Sequence, residues 1–306
     1  VMSEPRIIRF MRFRRGMAIF SAAVVLVGFV SLVTKGLNLG LDFTGGTAVE
    51  LHFEQAVQQQ EISRALAAAE VEDAVVQYLG DANSVIVRLP PQPGDATSLG
   101  QKIADLAGTA GNPAEVRQVD SVGSQVGDEL YANSLKAVGL SLLMMMLYVA
   151  VRFRFKFAVG AVISLFHDVL FTVGMFSLLG LPFDLTVLAA VLALIGYSLN
   201  DTIVVFDRIR ENFRKLRKAD PIEIVDISLT ETLRRTIMTV ATVALVVFAL
   251  LIVGGPALHW FSVAMLIGLF AGTYSSIYVA TSYALAMGLS KEDFIVEVTK
   301  EEDDRP

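Results

Sequence analysis

Apolar residues fall in long blocks separated by short charged segments, and one extended polar stretch interrupts the series after the first block. Crossing a bilayer core takes roughly 20 apolar helical residues. Six runs meet that need: Met17 to Val33, Leu135 to Val151, Phe157 to Leu179, Leu185 to Phe206, Thr236 to Val253 and Phe261 to Met287. Each is predicted to be a membrane-spanning helix.

The first run follows Arg6, Arg9, Arg12, Arg14 and Arg15 as the apolar core of a signal peptide follows its basic region. Its apolar part is longer than is usual there, and the exit SLVTKG lacks small residues at cleavage spacing. It is therefore expected to be an uncleaved anchor.

Between about Lys35 and Asp128 the periodicity changes. Thr47 to Phe53 alternates as a strand, Glu61 to Glu70 reads as a helix, and Ala74 to Leu79 and Val85 to Leu89 flank a turn at Gly80 and Asp81. Ser98 to Leu106 reads as helix and Glu115 to Val122 as strand, while Gly123 to Tyr131 forms a polar helix leading into the second span. The order β-α-β-β-α-β is that of a ferredoxin-like α+β domain, an antiparallel sheet with helices on one face. The expected architecture is thus a multi-pass α-helical membrane protein with six transmembrane helices and one inserted ferredoxin-like domain.

Charge sets the expected orientation. The N-terminal arginines, the Arg152, Arg154 and Lys156 turn, and the Arg208 to Lys218 segment fall on one side. That side is read as cytoplasmic. The connections Gly180 to Asp184 and Gly254 to Trp260 carry no Lys or Arg, and the insertion holds more acidic than basic residues. The expected layout is a cytoplasmic N-terminus over 1–16, a first span over 17–34, a periplasmic domain over 35–130, five more spans over 131–287 and a cytoplasmic tail over 288–306 of a bacterial inner-membrane protein.

Composition agrees with a membrane class: 54% of the 306 residues are hydrophobic and only 18% are charged, with a mean hydropathy of +0.59. A net charge of −6 argues against a nucleic-acid partner. The absence of cysteine removes disulfides, thiolate metal sites and cysteine nucleophiles. No P-loop is present, so transport would draw on an ion gradient or a partner ATPase. No cofactor or metal site is predicted, since neither H-E-x-x-H nor a Cys cluster occurs, and no nucleophile, base and orienting group stand together as an enzyme would need.

The most informative segment is GYSLNDTIVVFDRIRENFR, Gly196 to Arg214. Asp201 lies inside the fourth apolar run, about 9 Å deep from the boundary at Asp207 at the helical rise. An uncompensated carboxylate there is costly, so a proton or a basic partner must neutralise it. One that alternates between the two is a proton carrier; one that does not is a structural group. Arg235, at the start of the fifth run, is the candidate partner, or else a residue that snorkels to the headgroups. It begins a polar stripe with Thr239 and Thr242. Asn200 adds a neutral donor and acceptor, and Ala189, Ala193 and Gly196 continue its face with small side chains expected to meet protein.

His167 and Asp168 form a second buried pair in the third run, either a proton relay or a satisfied hydrogen-bonded couple. Gly268, Gly272, Ser276, Ala280 and Ala284 form a small-residue packing seam on the last helix. The segment GLDFTGGT, with Gly40, Asp42, Gly45 and Gly46, reads as a hinge or turn, because glycine permits tight turns and close approach. It lacks the setting of a phosphate loop.

GLDFTGGT after the first span, the His167-Asp168 pair, the Gly196 to Arg214 segment, LRRT at 233–236 and GGPAL at 254–258 together resemble the SecF family, over essentially the whole chain. The resemblance implies a subunit that pairs with SecD in a relative of the resistance-nodulation-division exporters. It further implies that the pair works beside SecYEG and SecA, with YajC as an additional partner, and uses the proton gradient, or sodium in some relatives, to assist late translocation and release of preproteins. On that resemblance Asp201 matches the proton-linked aspartate and Arg235 its arginine, and SecD would add a further acidic residue. Competing readings are an exporter of small molecules or lipids, and a scaffold that holds SecD in shape.

Overall fold

The computed structural model describes residues 7–290 and 293, apart from 72, 80, 93, 94 and 217. Arg6, Gly80 of the predicted turn and most of the 288–306 tail lie outside the described residues. Six of the described helices are long and apolar enough to cross a membrane.

A short 3₁₀ turn, Phe10–Phe13, leads into α1, Arg14–Thr34. The inserted part comprises β1 (Asn38–Leu39), α2 (Leu41–Thr44), β2 (Gly46–Phe53), α3 (Gln59–Ala68), β3 (Val75–Leu79), β4 (Asp81–Leu89), α4 (Ala96–Ala107) and β5 (Ala114–Val122). Then come α5 (Ser124–Arg152), α6 (Phe155–Leu179), β6 (Pro182–Phe183), α7 (Leu185–Lys215), α8 (Pro221–Val253) and α9 (Gly255–Ser275). One π-helical turn, Ser276–Ala280, joins α9 to α10, Thr281–Ala286.

Several helices outrun the apolar blocks that announce them. Helix α8 begins at Pro221 rather than near Thr236: the Asp220 side chain accepts the Ile222 amide at 2.8 Å, and proline suits the first helical position. Its early turns are amphipathic. Ile224, Val225 and Leu229 are buried against Ile209 and Phe213 of α7. Arg235 therefore sits well inside a helix, not at its start. Hydropathy reports only the part of a helix suited to lipid and misses such extensions.

In the inserted domain the sheet order is β3-β4-β2-β5 with every pair antiparallel. Val49, Leu51 and Phe53 of β2 and Val85, Val87 and Leu89 of β4 alternate onto one face, where Ile62 and Leu66 of α3 and Ile103, Ala104 and Ala107 of α4 cover them. This is the ferredoxin-like arrangement. Asp95 caps α4 by accepting the Ser98 amide at 2.9 Å.

Within the bundle, α6, α7 and the last helix form the interior: 44%, 56% and 56% of their most apolar windows are buried, against 17% for α1 and 11% for α5 and α8. Close backbone approach makes the packing possible. A Cβ on Gly174 would stand 2.7 Å from Gly28 Cα, and one on Gly160 would stand 2.6 Å from the Ala280 carbonyl oxygen. A Cβ on Gly268 would overlap Leu194 of α7. The last-helix seam is thus a packing surface, with the π-helical turn set into it.

Candidate functional site

Helix α7 carries the site. Asp184, just before it, accepts the Val187 amide at 2.9 Å and the Thr186 hydroxyl at 2.7 Å. Asp42 of the GLDFTGGT segment reaches across and accepts the Leu185 amide at 3.0 Å. Two carboxylates therefore sit on the positive end of one helix dipole, satisfying amides that have no intrahelical partner.

The glycine-rich segment is fastened on both sides of Asp42. β1 pairs in parallel with β6, the Gly40 amide donates to the Phe183 carbonyl at 2.8 Å, and the Asn38 amide group donates to the Gly180 carbonyl at 3.0 Å. A Cβ on Gly40 would stand 2.9 Å from Asp184 Cβ. Gly45 and Gly46 turn the chain into β2 with φ of 66° and 116°, conformations that side chains disfavour. Gly45 also lies against the start of α5, where a Cβ would meet Ser124 Cα at 2.9 Å. Turning is confined to Gly45 and Gly46, while Gly40 and Asp42 are locked to the α6–α7 connection.

Farther along α7, Asp201 is only 4% exposed. It accepts no hydrogen bond and makes no ion pair among the described residues. The Arg235 charge acts on it from α8, yet no direct bridge joins them. Tyr197, one turn earlier, buries a hydroxyl that also has no partner among the described residues. Thr239 and Thr242 close their hydroxyls onto the Arg235 and Thr239 carbonyls, at 2.8 and 2.9 Å. The stripe beside Arg235 is therefore internally satisfied.

Asn200 and Arg235 line a polar cavity of about 540 Å³ with Asp207, Arg208, Glu211, Glu231 and Thr232. Around it, Arg152 holds Asp207 with two bonds of 2.7 and 2.8 Å, and Arg208 contacts Glu211 at 2.6 Å and Glu231 at 2.8 Å. Asn212 donates to Glu231 at 2.8 Å and to Ser228 at 3.0 Å. Arg235 forms no ion pair among the described residues, although its neighbours are paired. Of the small-residue face beside Asn200, Ala189 and Ala193 are exposed within the chain, as is Asn200, and Gly196 is half-buried.

His167 and Asp168 do come together, and in larger company. Asp168, 4% exposed, accepts from His167 Nδ1 at 3.0 Å, from Ser275 Oγ at 2.7 Å and from Ser198 Oγ. Ser164 donates to Ser275 at 2.9 Å. The network ties α6, α7 and α9 together at the centre of the bundle. Ser198 is three residues from Asp201, so the serine of α7 that anchors Asp168 and the unanchored carboxylate lie within one turn of the same helix.

Ser198, Ser275 and Asp184 were not predicted. Asp184 was legible, as an Asp before an apolar run is a helix-start signal. Ser198 stands in the quoted segment, but its partner is distant in sequence and only folding reveals the pair.

Buried carboxylates and hydroxyls inside six apolar helices, with a soluble domain clamped to one end, define a polytopic membrane protein of the transporter kind. A model of the SecD/SecF protein export membrane proteins, C-terminal part, matches residues 102–290, and one of the SecD/SecF GG motif matches residues 30–57. The protein translocase subunit SecF of Pseudomonas aeruginosa is 47% identical over 302 residues, 98% of each chain. That of Vibrio alginolyticus is 46% identical over 294 residues, 95% of this chain and 93% of the relative. The chain belongs to the SecD/SecF family.

The crystal structure of SecDF, a translocon-associated membrane protein from Thermus thermophilus, is similar with a TM-score of 0.84 and 37% identity, covering 94% of this chain. This chain spans 39% of that longer one. A SecDF structure in a super-membrane-facing form gives 0.65 at the same identity and coverage.

Proposed function

We propose that this chain is the SecF-type subunit of a SecDF complex, which assists late protein translocation with energy from an ion gradient, and that Asp201 is its coupling carboxylate. The observation that carries this reading is Asp201 itself: a buried carboxylate that accepts no hydrogen bond among the described residues, acted on by an arginine that forms no ion pair among them, on the helix whose small-residue face is open. Its charge is left to a proton, to Arg235 or to a group from outside the chain. An exposed face of small residues suits close packing of a partner helix. SecD is the proposed partner, consistent with the SecDF likeness. Asn200 supplies a neutral polar group to the cavity shared with Arg235.

The subunit is proposed to lie in the bacterial inner membrane with both termini cytoplasmic and the inserted domain periplasmic, as the basic loops favour. It works there beside SecYEG and SecA, with YajC, on preprotein substrates, and acts as a translocase accessory subunit without covalent chemistry of its own. One charge crossing the membrane potential is worth about 2.3 kcal/mol per 100 mV, enough to bias a two-state packing.

The test is gradient-dependent preprotein export into inverted membrane vesicles with SecD at normal levels, comparing the wild type with Asp201→Asn. Loss of gradient stimulation in an assembled complex is expected. Retained stimulation would make Asp201 structural and leave the subunit a scaffold.

A further inference from the structure

The carboxylate network at the bundle centre engages only one nitrogen of His167. Nδ1 donates to Asp168 at 3.0 Å, which sets the neutral ring with its proton on Nδ1 and leaves Nε2 as an acceptor. Nε2 has no hydrogen-bond partner among the described residues, although the side chain is only 7% exposed. Phe171 and Tyr274 lie against the ring, with centroids 6.2 and 5.9 Å away.

The same ring lines a cavity of about 400 Å³ between α1, α6 and the last helix. Ala22 and Val25 belong to its apolar walls, while Ser21, His167, Tyr278 and Ser282 bring polar groups to it. The Tyr274 hydroxyl donates to the Met17 carbonyl at 2.8 Å, so Ser21 supplies the proton of the 2.7 Å bond between the two hydroxyls. Ser21 Oγ therefore keeps a lone pair to accept with. The Ser282 hydroxyl has no partner among the described residues. Tyr278 belongs to the π-helical turn, a feature frequent at functional sites.

The cavity occupies one half of the bundle. Ser282 is four residues from the end of the last helix and His167 twelve from the start of α6, about 6 and 18 Å at the helical rise. Those two ends meet, since Lys156 Nζ donates to the Gly288 carbonyl at 2.9 Å. They lie on the side of the exposed Arg9, Arg12, Arg15 and Arg154. A lipid acyl chain would suit the apolar walls but could bond none of the polar groups. Water can, for it needs little volume and two to four polar partners.

We infer that this cavity is a hydrated pocket, reached from the basic side of the bundle, in which water exchanges a proton with His167 Nε2; the functional half of the inference rests on the motor reading. A hydronium that gives its proton to Nε2 leaves water and an imidazolium. Passage of the Nδ1 proton to the Asp168 carboxylate then leaves a neutral ring protonated on Nε2, and the reverse steps restore the start. Asp168 also accepts from Ser198, on the helix of Asp201. The titratable groups around the ring and cavity are Asp168 on α6 and Tyr274, Tyr278 and Tyr283 on the last helix; among the described residues α1 presents none.

Thiol accessibility tests the hydration without relying on export. The chain has no cysteine, so single reporters can be placed in a complex with a cysteine-free partner. Ser282→Cys and Ala22→Cys stand on the cavity wall, and Leu26→Cys, at a position 61% exposed on α1, is the control. A membrane-impermeant, positively charged methanethiosulfonate is added to inverted vesicles, which expose the face proposed as cytoplasmic, and to right-side-out ones. Thiolates form poorly in apolar surroundings, so both cavity thiols should react at least about tenfold faster than the control in inverted vesicles. Rates no higher than the control in either preparation would mean a dry, lipid-filled pocket and overturn the proposal. Fast labelling only from the opposite face would overturn it as well.

Proton exchange is tested with His167→Gln, whose amide still donates to Asp168 but takes up no proton. Wild-type gradient-dependent export should change with pH on the basic side within about one unit of 6.5, the imidazole range, and His167→Gln should flatten that change. A wild-type profile without the step, or one that His167→Gln leaves in place, would refute the exchange. A failure of the Asp201→Asn export test alone removes the motor reading, while the labelling rates still decide whether the pocket is wet.

Discussion

Replacing Asp168 offers a test of what the buried network at the bundle centre is for. Its carboxylate receives three hydrogen bonds, from Ser198, Ser275 and His167, which belong to or border three different helices. Side-chain hydrogen bonds within membrane proteins contribute about 0.6 kcal/mol on average and up to about 1.7, so Asp168→Ala should cost about 2–5 kcal/mol. Asp168→Asn is a sharper probe. The single amide oxygen can accept from both serines, and the amide group can donate to His167 Nδ1 once the ring proton sits on Nε2. All three contacts survive without a charge, and the expected cost is under about 1 kcal/mol. Unfolding of the purified complex in detergent, followed by loss of helical signal, measures both. Asparagine as costly as alanine would refute the counting of hydrogen bonds, because the charge itself would then hold the helices together. A stable Asn variant that abolishes gradient-dependent export would assign Asp168 to the relay instead.

Gly174→Leu would place side-chain atoms where a Cβ alone would stand 2.7 Å from Gly28 Cα, so α1 and α6 should separate at a cost of about 1–3 kcal/mol, read as a lowered melting temperature. Arg152→Gln removes the bidentate contact to Asp207, but with 36% and 41% of these side chains exposed the loss should be no more than about 1 kcal/mol. A larger drop in the same unfolding assay would mean that this pair is shielded in the assembled complex.

The domain was legible because its alternation is local: Val49, Leu51 and Phe53 announce a buried strand face without knowledge of what covers it. The spans were legible for the same reason. Helix extents were less so, since the early turns of α8 are held by Ile224, Val225 and Leu229 packing on α7 and by the Asp220 cap, none of which raises hydropathy. The candidate carboxylates could be found from sequence, because an ionisable residue in an apolar run is conspicuous wherever its partners are. Their different circumstances could not. Asp168 draws on serines 30 and 107 positions away, whereas Asp201 finds no hydrogen bond within the described chain, and only folding separates the satisfied group from the unsatisfied one.

The same distinction bears on the glycine-rich segment. Its composition suggested freedom, and two of its glycines do adopt conformations that require glycine. Gly40, by contrast, is needed because Asp184 leaves no room for a Cβ, and Asp42 spends its carboxylate on the first amide of α7. From that amide to Asp201 the helix is continuous, a span of about 24 Å at the helical rise. A helix of that length, held at one end by a capped clamp and carrying an unanchored carboxylate near its middle, passes on a shift as a rigid body rather than absorbing it. The Ser198 hydroxyl, one turn from Asp201, ties that part of α7 to Asp168 of α6. On the proposed reading, neutralising Asp201 need alter only the packing of α7 against its partner for the displacement to arrive at Asp42.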